Sequence, residues 1–193
     1  MKTLLTSTFI FLVSIMTYSQ NKLPYYEIPE APKEFTEGTV TSRLIDGLGF
    51  RYYWATEGLK EEDLKFKPSK DARDVFDTVD HIFILSIMTL SAVEGTEMDF
   101  PEEGSLTFEE IRKQTLENFK KTSDILKSSK DLSKFVMKIN RGNGKIEEYP
   151  FWNQLNGPIA DAIWHCGQLV SFRRSAGNPL PKGPSFLTGK VNR

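Results

Sequence analysis

The sequence is poor in the two residue types that most often carry metal and redox chemistry. It has one cysteine, Cys166, and two histidines, His81 and His165. A single cysteine excludes an intrachain disulfide framework, so stability has to come from packing. The sequence also contains no Gly-rich phosphate loop and no Ser-His-Asp arrangement with a spare histidine, which excludes those two common catalytic systems.

The chain has no excess of charge of either sign. Its 25 Lys and Arg residues face 26 Asp and Glu residues, for a formal net charge of −1. This balance offers no basic surface for nucleic acid or for an anionic membrane, and neither is expected as a partner. Internal repeats and low-complexity tracts are also missing.

The N-terminal segment predicts a secretory signal peptide over residues 1–19. Lys2 gives a positive start, residues 4–16 are mostly apolar, and small residues precede a cleavage site before Gln20. The apolar stretch is too short and too interrupted for a spanning helix, so no membrane span is expected. The protein is therefore predicted to be exported, to the periplasm or the medium. A buried N-terminal strand is the alternative.

The remainder is the length of one ordinary domain. Prolines punctuate residues 20–37, which predicts an extended leader. Residues 38–179 are assigned to the domain itself, and the Gly- and Pro-rich residues 180–193 to a C-terminal tail that wraps the surface.

Hydrophobic periodicity predicts four helices within the domain. They cover residues 36–57, a second stretch that starts at Asp71 or Asp74 and ends near 93, residues 107–128, and a fourth from Pro158 to about 175. In the first, the apolar face is assigned to Val40, Leu44, Ile45, Leu48 and Tyr52.

Local signals fix several of the boundaries. Thr107 and Glu110 form a capping box at the start of the third helix. Gly177 suits the end of the fourth helix. Between the third and fourth helices, the strand-like residues 134–139 and 145–149 flank a turn, which predicts a short β-hairpin. The fold class is therefore all-α, a four-helix bundle with a short β-hairpin between helices 3 and 4.

Asp161 and His165 are the candidate functional pair. They are four residues apart on the fourth predicted helix, so both side chains lie on one face, one turn apart. A carboxylate and an imidazole at this spacing can reach one point, as two ligands of a metal ion must. His81 on the second helix would add a third ligand, which gives a facial site with open positions. The alternative is a carboxylate that orients a core histidine by a hydrogen bond.

Two segments of the chain resemble the DinB-like superfamily of four-helix bundles, which includes bacillithiol and mycothiol transferases. They are residues 64–68 with 79–82, and residues 161–169. The family pattern is a histidine in the second helix, then His-x-x-x-His-x-Gly-Gln in the fourth. His81 and His165 match its first and third ligands, and Asp161 stands at the position of the middle one.

The resemblance implies a divalent metal held by His81, Asp161 and His165, with Zn, Ni, Mn or Fe compatible with a carboxylate ligand. It implies a metal-dependent hydrolase or a thiol (S-)transferase acting on a small molecule, and a homodimer. No separate catalytic residue is assigned. Because Asp161 departs from the pattern, the alternative is a non-catalytic bundle that has lost the metal and serves as a binding or interaction module.

Four further side chains lie near this triad in the sequence or in the same helical region. Cys166 turns about 100° away from the metal face, which indicates a buried inert thiol. Gln168 can support the site or bridge to another helix, and both roles stay open. Trp152 and Trp164 are assigned to the core, with a pocket wall as the alternative for Trp152.

Overall fold

The computed structural model describes residues 23–102 and 104–192. The predicted signal peptide at residues 1–19 lies outside this part of the chain. The helices are α1 (Glu37–Thr56), α2 (Glu61–Leu64), α3 (Val75–Glu94), α4 (Phe108–Lys127), α5 (Trp152–Gln154) and α6 (Ala160–Ser175). The strands are β1 (Val136–Asn140), β2 (Ile146–Pro150), β3 (Pro184–Ser185) and β4 (Lys190–Val191).

The four long helices form a closed ring of packed neighbours. Helix α1 packs on α4, α4 on α3, α3 on α6, and α6 on α1. The described part of the chain is thus mainly helical, and the antiparallel hairpin β1–β2 precedes the last long helix. The predicted helical bundle with a hairpin between its third and fourth long helices is confirmed at this level.

Side-chain caps explain where the long helices begin. Asp74 accepts a hydrogen bond from the amide of Asp77 at 2.8 Å, and α3 starts at the next residue. The predicted capping box at α4 is confirmed: Thr107 Oγ1 accepts from the Glu110 amide at 3.3 Å, and Glu110 Oε2 accepts from the Thr107 amide at 2.8 Å. Each bond satisfies an amide that has no partner within its helix.

Helix α3 is the one described helix whose length and composition would allow it to cross a membrane. Its mean hydropathy over 18 residues is 1.4, and 56% of that window is buried inside the protein. Contacts with α4 and α6 cover this surface, as is usual for the central helix of a bundle.

The predicted apolar face of α1 is wrong for its first half. Ile45, Leu48 and Tyr52 are buried, but the side chains of Val40 and Leu44 are 54% and 42% exposed. A four-residue spacing advances by about 40° around the helix at each step, so a long row at this spacing turns away from any single face. The half that contains Leu48 and Tyr52 faces the core.

The predicted start of the fourth helix at Pro158 coincides with a break in the backbone. A short helical segment that the sequence did not predict begins at Trp152, and it meets the last long helix at a kink inside the π-helical turn Leu155–Ile159. Pro158 lies inside this turn and Gly157 takes non-helical angles, φ −99° and ψ −110°. Because proline lacks an amide hydrogen and clashes with a preceding helical turn, it fits directly after this break, at the start of the helical segment that leads into α6.

Tyr25 attaches the N-terminal leader, residues 23–36 of the described chain, to the helices of the bundle. Its hydroxyl donates to the buried Asp46 carboxylate at 3.1 Å, and Ser123 of α4 donates to the same oxygen at 2.6 Å. The Tyr25 ring lies against Gly49, where a β-carbon would overlap it. One buried carboxylate therefore joins the leader, α1 and α4.

The tail does more than wrap the surface. Strands β3 and β4 form a second small hairpin, which no sequence pattern predicts. The Ile28 amide donates to the Gly189 carbonyl at 2.8 Å, and the Val191 amide donates to Glu27 at 3.0 Å. We refer to this pairing of residues 27–28 with residues 189–191 as the terminal clasp.

Candidate metal centre

Helices α3 and α6 bring the three predicted ligands together. His81 Nε2 lies 3.1 Å from Asp161 Oδ2, and His165 Nε2 lies 3.3 Å from Asp161 Oδ1. One donor atom from each residue falls within 4.8 Å of the other two. The predicted convergence of His81 with Asp161, across 80 residues of sequence, is confirmed.

The two imidazoles are close but not stacked. Their ring centroids are 4.6 Å apart and their planes are nearly perpendicular, at 85°. Asp161 and His165 share a face of α6 because they are one turn apart, and His81 approaches that face from α3. An edge-to-face pair lets two ring nitrogens point toward one shared position, as two ligands of one ion must.

Gln168 fixes which nitrogen of His165 is available. Its side-chain oxygen lies 2.7 Å from His165 Nδ1, so Nδ1 carries the hydrogen and donates it to Gln168. In a neutral ring, Nε2 then has only a lone pair. A partner that orients the ring through its second nitrogen is the usual neighbour of a metal-ligating histidine. Of the two roles left open for Gln168, the structure therefore favours support of the site.

The contact between His165 and Asp161 fits a cation between them. With the hydrogen of His165 on Nδ1, Nε2 and the carboxylate Oδ1 are both acceptors, and they face each other at 3.3 Å. Two acceptors at this distance repel unless a proton or a metal ion lies between them. The donor set, two imidazole nitrogens and one carboxylate, suits a borderline divalent metal.

The surroundings keep His81 in the form that binds metals. Burial lowers the pKa of His81 below its ordinary value, and the nearby Arg73 and His165 act in the same direction. The hydrogen bond with Asp161 raises that pKa but does not outweigh burial. His81 is therefore neutral at neutral pH, and neutral imidazole is the ligand form. Sequence reasoning missed Arg73, which precedes α3 and carries no motif.

The centre opens to solvent on the Asp161 side. The side chain of Asp161 is 40% exposed, against 27% for His81 and 13% for His165. Solvent therefore reaches the cluster most readily beside Asp161, where water or a small molecule could approach. Catalytic metal sites use this arrangement, whereas structural sites are closed by four protein ligands.

Cys166 takes no part in this centre. Its thiol is buried, and burial raises the pKa of Cys166 to about 12. A thiol with this pKa is neither a thiolate ligand nor a nucleophile near neutral pH. The prediction that the Cys166 thiol is buried is thus confirmed.

The assignment of both tryptophans to the core is wrong. Trp152 and Trp164 are 75% and 71% exposed. The inner face of α6 is taken by Ala162, Cys166 and Leu169, and Trp164 lies across the helix from Cys166 at about 200°. Trp152 does line a cavity together with Phe151 and Leu155, which agrees with its alternative role as a pocket wall.

Gln154 is a polar residue that sequence reasoning did not single out. Its side chain is fully buried, and within residues 23–102 and 104–192 neither of its amide atoms has a hydrogen-bond partner. It immediately precedes the π-helical turn that leads to Asp161. Nothing in its local sequence distinguishes it from an ordinary surface glutamine.

No protein-family model matches the chain, and a search of curated proteins finds no significant similarity.

Proposed function

We propose that the protein is a divalent-metal protein of the DinB-like type, with the ion held by His81, Asp161 and His165. The observation that carries the proposal is the convergence of these three donors from two helices, with the His165 ring oriented by Gln168. The only two histidines of the chain both lie at this point, which is hard to reconcile with an ordinary packing role for each.

The ligand set narrows the metal to a class. Two imidazoles and one carboxylate suit Zn, Ni, Mn or Fe, and a carboxylate in place of a third imidazole shifts preference toward the harder members. Three protein ligands leave room for at least one exchangeable position. The exposed side of Asp161 is where that position would face.

The best-supported activity is metal-dependent hydrolysis of a small molecule. When bound, a divalent metal supplies a Lewis acid that polarises a substrate oxygen and acidifies water. Asp161 would hold the ion together with the two imidazoles, and its partly exposed carboxylate would also be able to accept a proton. Gln168 keeps the hydrogen of His165 on Nδ1 and so preserves the Nε2 lone pair. Thiol transfer would use the same centre with an external thiol, because Cys166 is buried away from it.

The resemblance to the DinB-like superfamily supports this function through particular residues. His81, His165 and the following Gly167 and Gln168 match the family pattern, and Gln168 has a geometric role at the site. We extend the proposal to export, on the predicted signal peptide, and to a homodimer, on the resemblance. The substrate would then be met outside the cytoplasm.

One observation favours a different function, a bundle that binds a partner without a metal. Asp161 contacts both imidazoles, so one proton on His165 would satisfy the cluster with no ion present. The exposed Trp152 and Trp164 are residue types enriched at interfaces. Under this alternative the triad is a structural remnant.

A metal titration separates the two functions. Protein purified without chelators or a histidine tag should contain about one equivalent of a divalent metal by elemental analysis. His165→Ala should abolish binding in calorimetry while circular dichroism stays unchanged. Asp161→His should tighten zinc and nickel binding, since a third imidazole suits these metals better than a carboxylate does.

The control is Asp124→Asn, which removes an exposed carboxylate paired with Lys120 on α4 and should leave metal affinity unchanged. Equal or weaker zinc binding by a folded Asp161→His variant would show that Asp161 is not the middle ligand. Wild-type protein that binds no metal at all would make the interaction module the first choice.

A further inference from the structure

A cavity of about 320 Å³ lies between α1, α6 and the C-terminal tail. Helix α6 contributes Ile163, Gly167 and Val170 to its lining, among others. At 100° per residue, these positions lie on the side of α6 opposite to Asp161 and His165. The cavity is therefore separate from the metal centre, and the proposed metal chemistry does not use it.

The lining combines an apolar body with two cations. Ile163, Val170, Leu180 and Phe186 supply the apolar surface, and the guanidinium groups come from two arginines, Arg51 of α1 and Arg174 of α6. No carboxylate lines this space within the described part of the chain. Pockets for small molecules commonly have this composition, mostly apolar with a few charged groups that fix orientation.

Neither arginine is neutralised by the rest of the described structure. Arg51 donates one hydrogen bond, from Nη1 to the Gly47 carbonyl at 2.9 Å, which leaves its remaining N–H groups available. Among residues 23–102 and 104–192, neither Arg51 nor Arg174 forms an ion pair with a carboxylate. By contrast, Arg112 and Arg141 are paired with Glu57 and Glu147. Two uncompensated cations at one apolar cavity attract an anion.

Both terminal segments hold the cavity open. Phe186 packs on Phe50 with ring centroids 5.5 Å apart, and the terminal clasp ties the tail to Ile28 at 2.8 Å. The part of the wall that carries Phe186 is therefore held in place before any ligand arrives, which lowers the entropic cost of binding.

We propose that this cavity binds a small organic anion with an apolar body, of the class of a medium-chain carboxylate. The carboxylate would lie between the guanidinium groups of Arg51 and Arg174, which can each offer paired N–H donors. The hydrocarbon would lie on Ile163, Val170 and Phe186. This site does not depend on the metal centre, so either can be wrong without the other.

Octanoate is the probe that tests the site. Calorimetric titration of the purified protein should show one binding event for octanoate. Octan-1-ol and octylamine, matched in chain length, should bind at least tenfold more weakly, because they lack the negative charge. Equal affinity for octanoate and octan-1-ol would overturn the proposal, since the arginines would then have no role.

Arg51→Gln combined with Arg174→Gln should raise the dissociation constant for octanoate at least tenfold. The matched control is Arg141→Gln, which removes a guanidinium from the β1–β2 hairpin and should leave octanoate binding unchanged. Metal content, measured on the same samples, should be equal in all of them. A loss of metal from the double variant would mean that the effect is not confined to the cavity.

Gly167→Leu tests the cavity by filling it. A β-carbon at Gly167 meets no atom within 4 Å, so the larger side chain can enter the cavity without displacing backbone. Octanoate binding should be lost while circular dichroism and thermal unfolding show an intact fold. Unchanged octanoate affinity in this variant would overturn the site.

The anion could also belong to a lipid surface. We expect no co-sedimentation of the protein with phosphatidylglycerol vesicles that added octanoate can compete away. Co-sedimentation that is lost in the Arg51 and Arg174 double variant would assign the cations to a membrane and overturn the free-ligand proposal.

Discussion

At the scale of single residues, Asp161 joins the two histidines, because each of its carboxylate oxygens faces a different imidazole. Of the three proposed ligands, Asp161 is also the one that differs from the DinB-like pattern that the sequence resembles. A carboxylate at this position carries a negative charge that an imidazole would lack. The site thus attracts cations, protons included, more strongly than a third histidine would.

Proton uptake at His81 gives the first prediction. Burial lowers its pKa below the ordinary value of 6.5, so the unfolded chain takes up this proton at a higher pH than the folded protein does. The contribution of His81 to the stability of the metal-free protein should be constant at higher pH and fall as the pH drops from about 6.5 through the folded-state pKa.

Urea unfolding of wild type and His81→Gln over that range is the measurement. The stability advantage of wild type should shrink toward acid, and an advantage that grows toward acid would contradict a lowered pKa for His81. Metal affinity should fall in the same direction, because protons compete for the imidazole.

Arg173 gives a second prediction, unconnected with metal. It is fully buried, and its Nη1 donates to the carbonyls of Trp54, Ala55 and Glu57 at 3.0–3.1 Å. Arg173→Met would leave these carbonyls at the C-terminal end of α1 without their donor, at a cost of roughly 2–4 kcal/mol in unfolding free energy. The neighbouring, exposed Arg174→Met should change it by no more than about 0.5 kcal/mol. Chemical denaturation of the pair is the test, and equal effects would contradict it.

At the scale of elements, Gly47 and Gly49 of α1 look equivalent in sequence and differ in structure. A β-carbon at Gly49 would overlap the Tyr25 ring, whereas one at Gly47 meets only the flexible end of Arg51 at 3.3 Å. Gly49→Ala should therefore destabilise the protein by about 1–3 kcal/mol, and Gly47→Ala should stabilise it by roughly 0.5–1 kcal/mol through helix propensity. Chemical denaturation of both variants is the measurement. Stabilisation by both substitutions would show that the leader does not pack tightly on α1.

The starts of the long helices were predictable because they depend on capping hydrogen bonds between residues close in sequence. Asp74, Thr107 and Glu110 sit at caps whose partners are three residues away, and such signals are local. The Asp161–His165 spacing was predictable for the same reason. That this pair lies close to His81 could be predicted only by assuming that the second and fourth helices are neighbours.

What the sequence did not show depends on contacts across the chain. Val40 and Leu44 look like core residues in the sequence. Which face of α1 is buried depends on how α1 packs on α4 and α6. Trp164 is exposed because smaller residues already fill the inner face of α6. The short helical segment Trp152–Gln154 lies ahead of the kink at Gly157, and no local pattern predicts it.

At the scale of the whole molecule, a metal between α3 and α6 would link the two halves of the chain. Binding to the folded state alone should stabilise the protein by about 2.7 kcal/mol at a metal concentration of 100 times the dissociation constant. For a chain of this size that corresponds to a rise in Tm of roughly 5–10 °C. Thermal unfolding with added Zn²⁺, and again after EDTA, measures it. His165→Ala should show no shift, and an equal shift in that variant would place the metal elsewhere.

The terminal clasp has a consequence for the order in which the protein matures. The longer of its two hydrogen bonds joins residues 164 positions apart, so the clasp cannot form until the C-terminal tail has left the ribosome. Helices α1 to α4 and their capping bonds are local and can assemble earlier. A nascent chain therefore lacks the contacts of Phe186 with Phe50 and of Gly189 with Ile28 until that segment has emerged, and its surface is most open to chaperones and proteases in that interval.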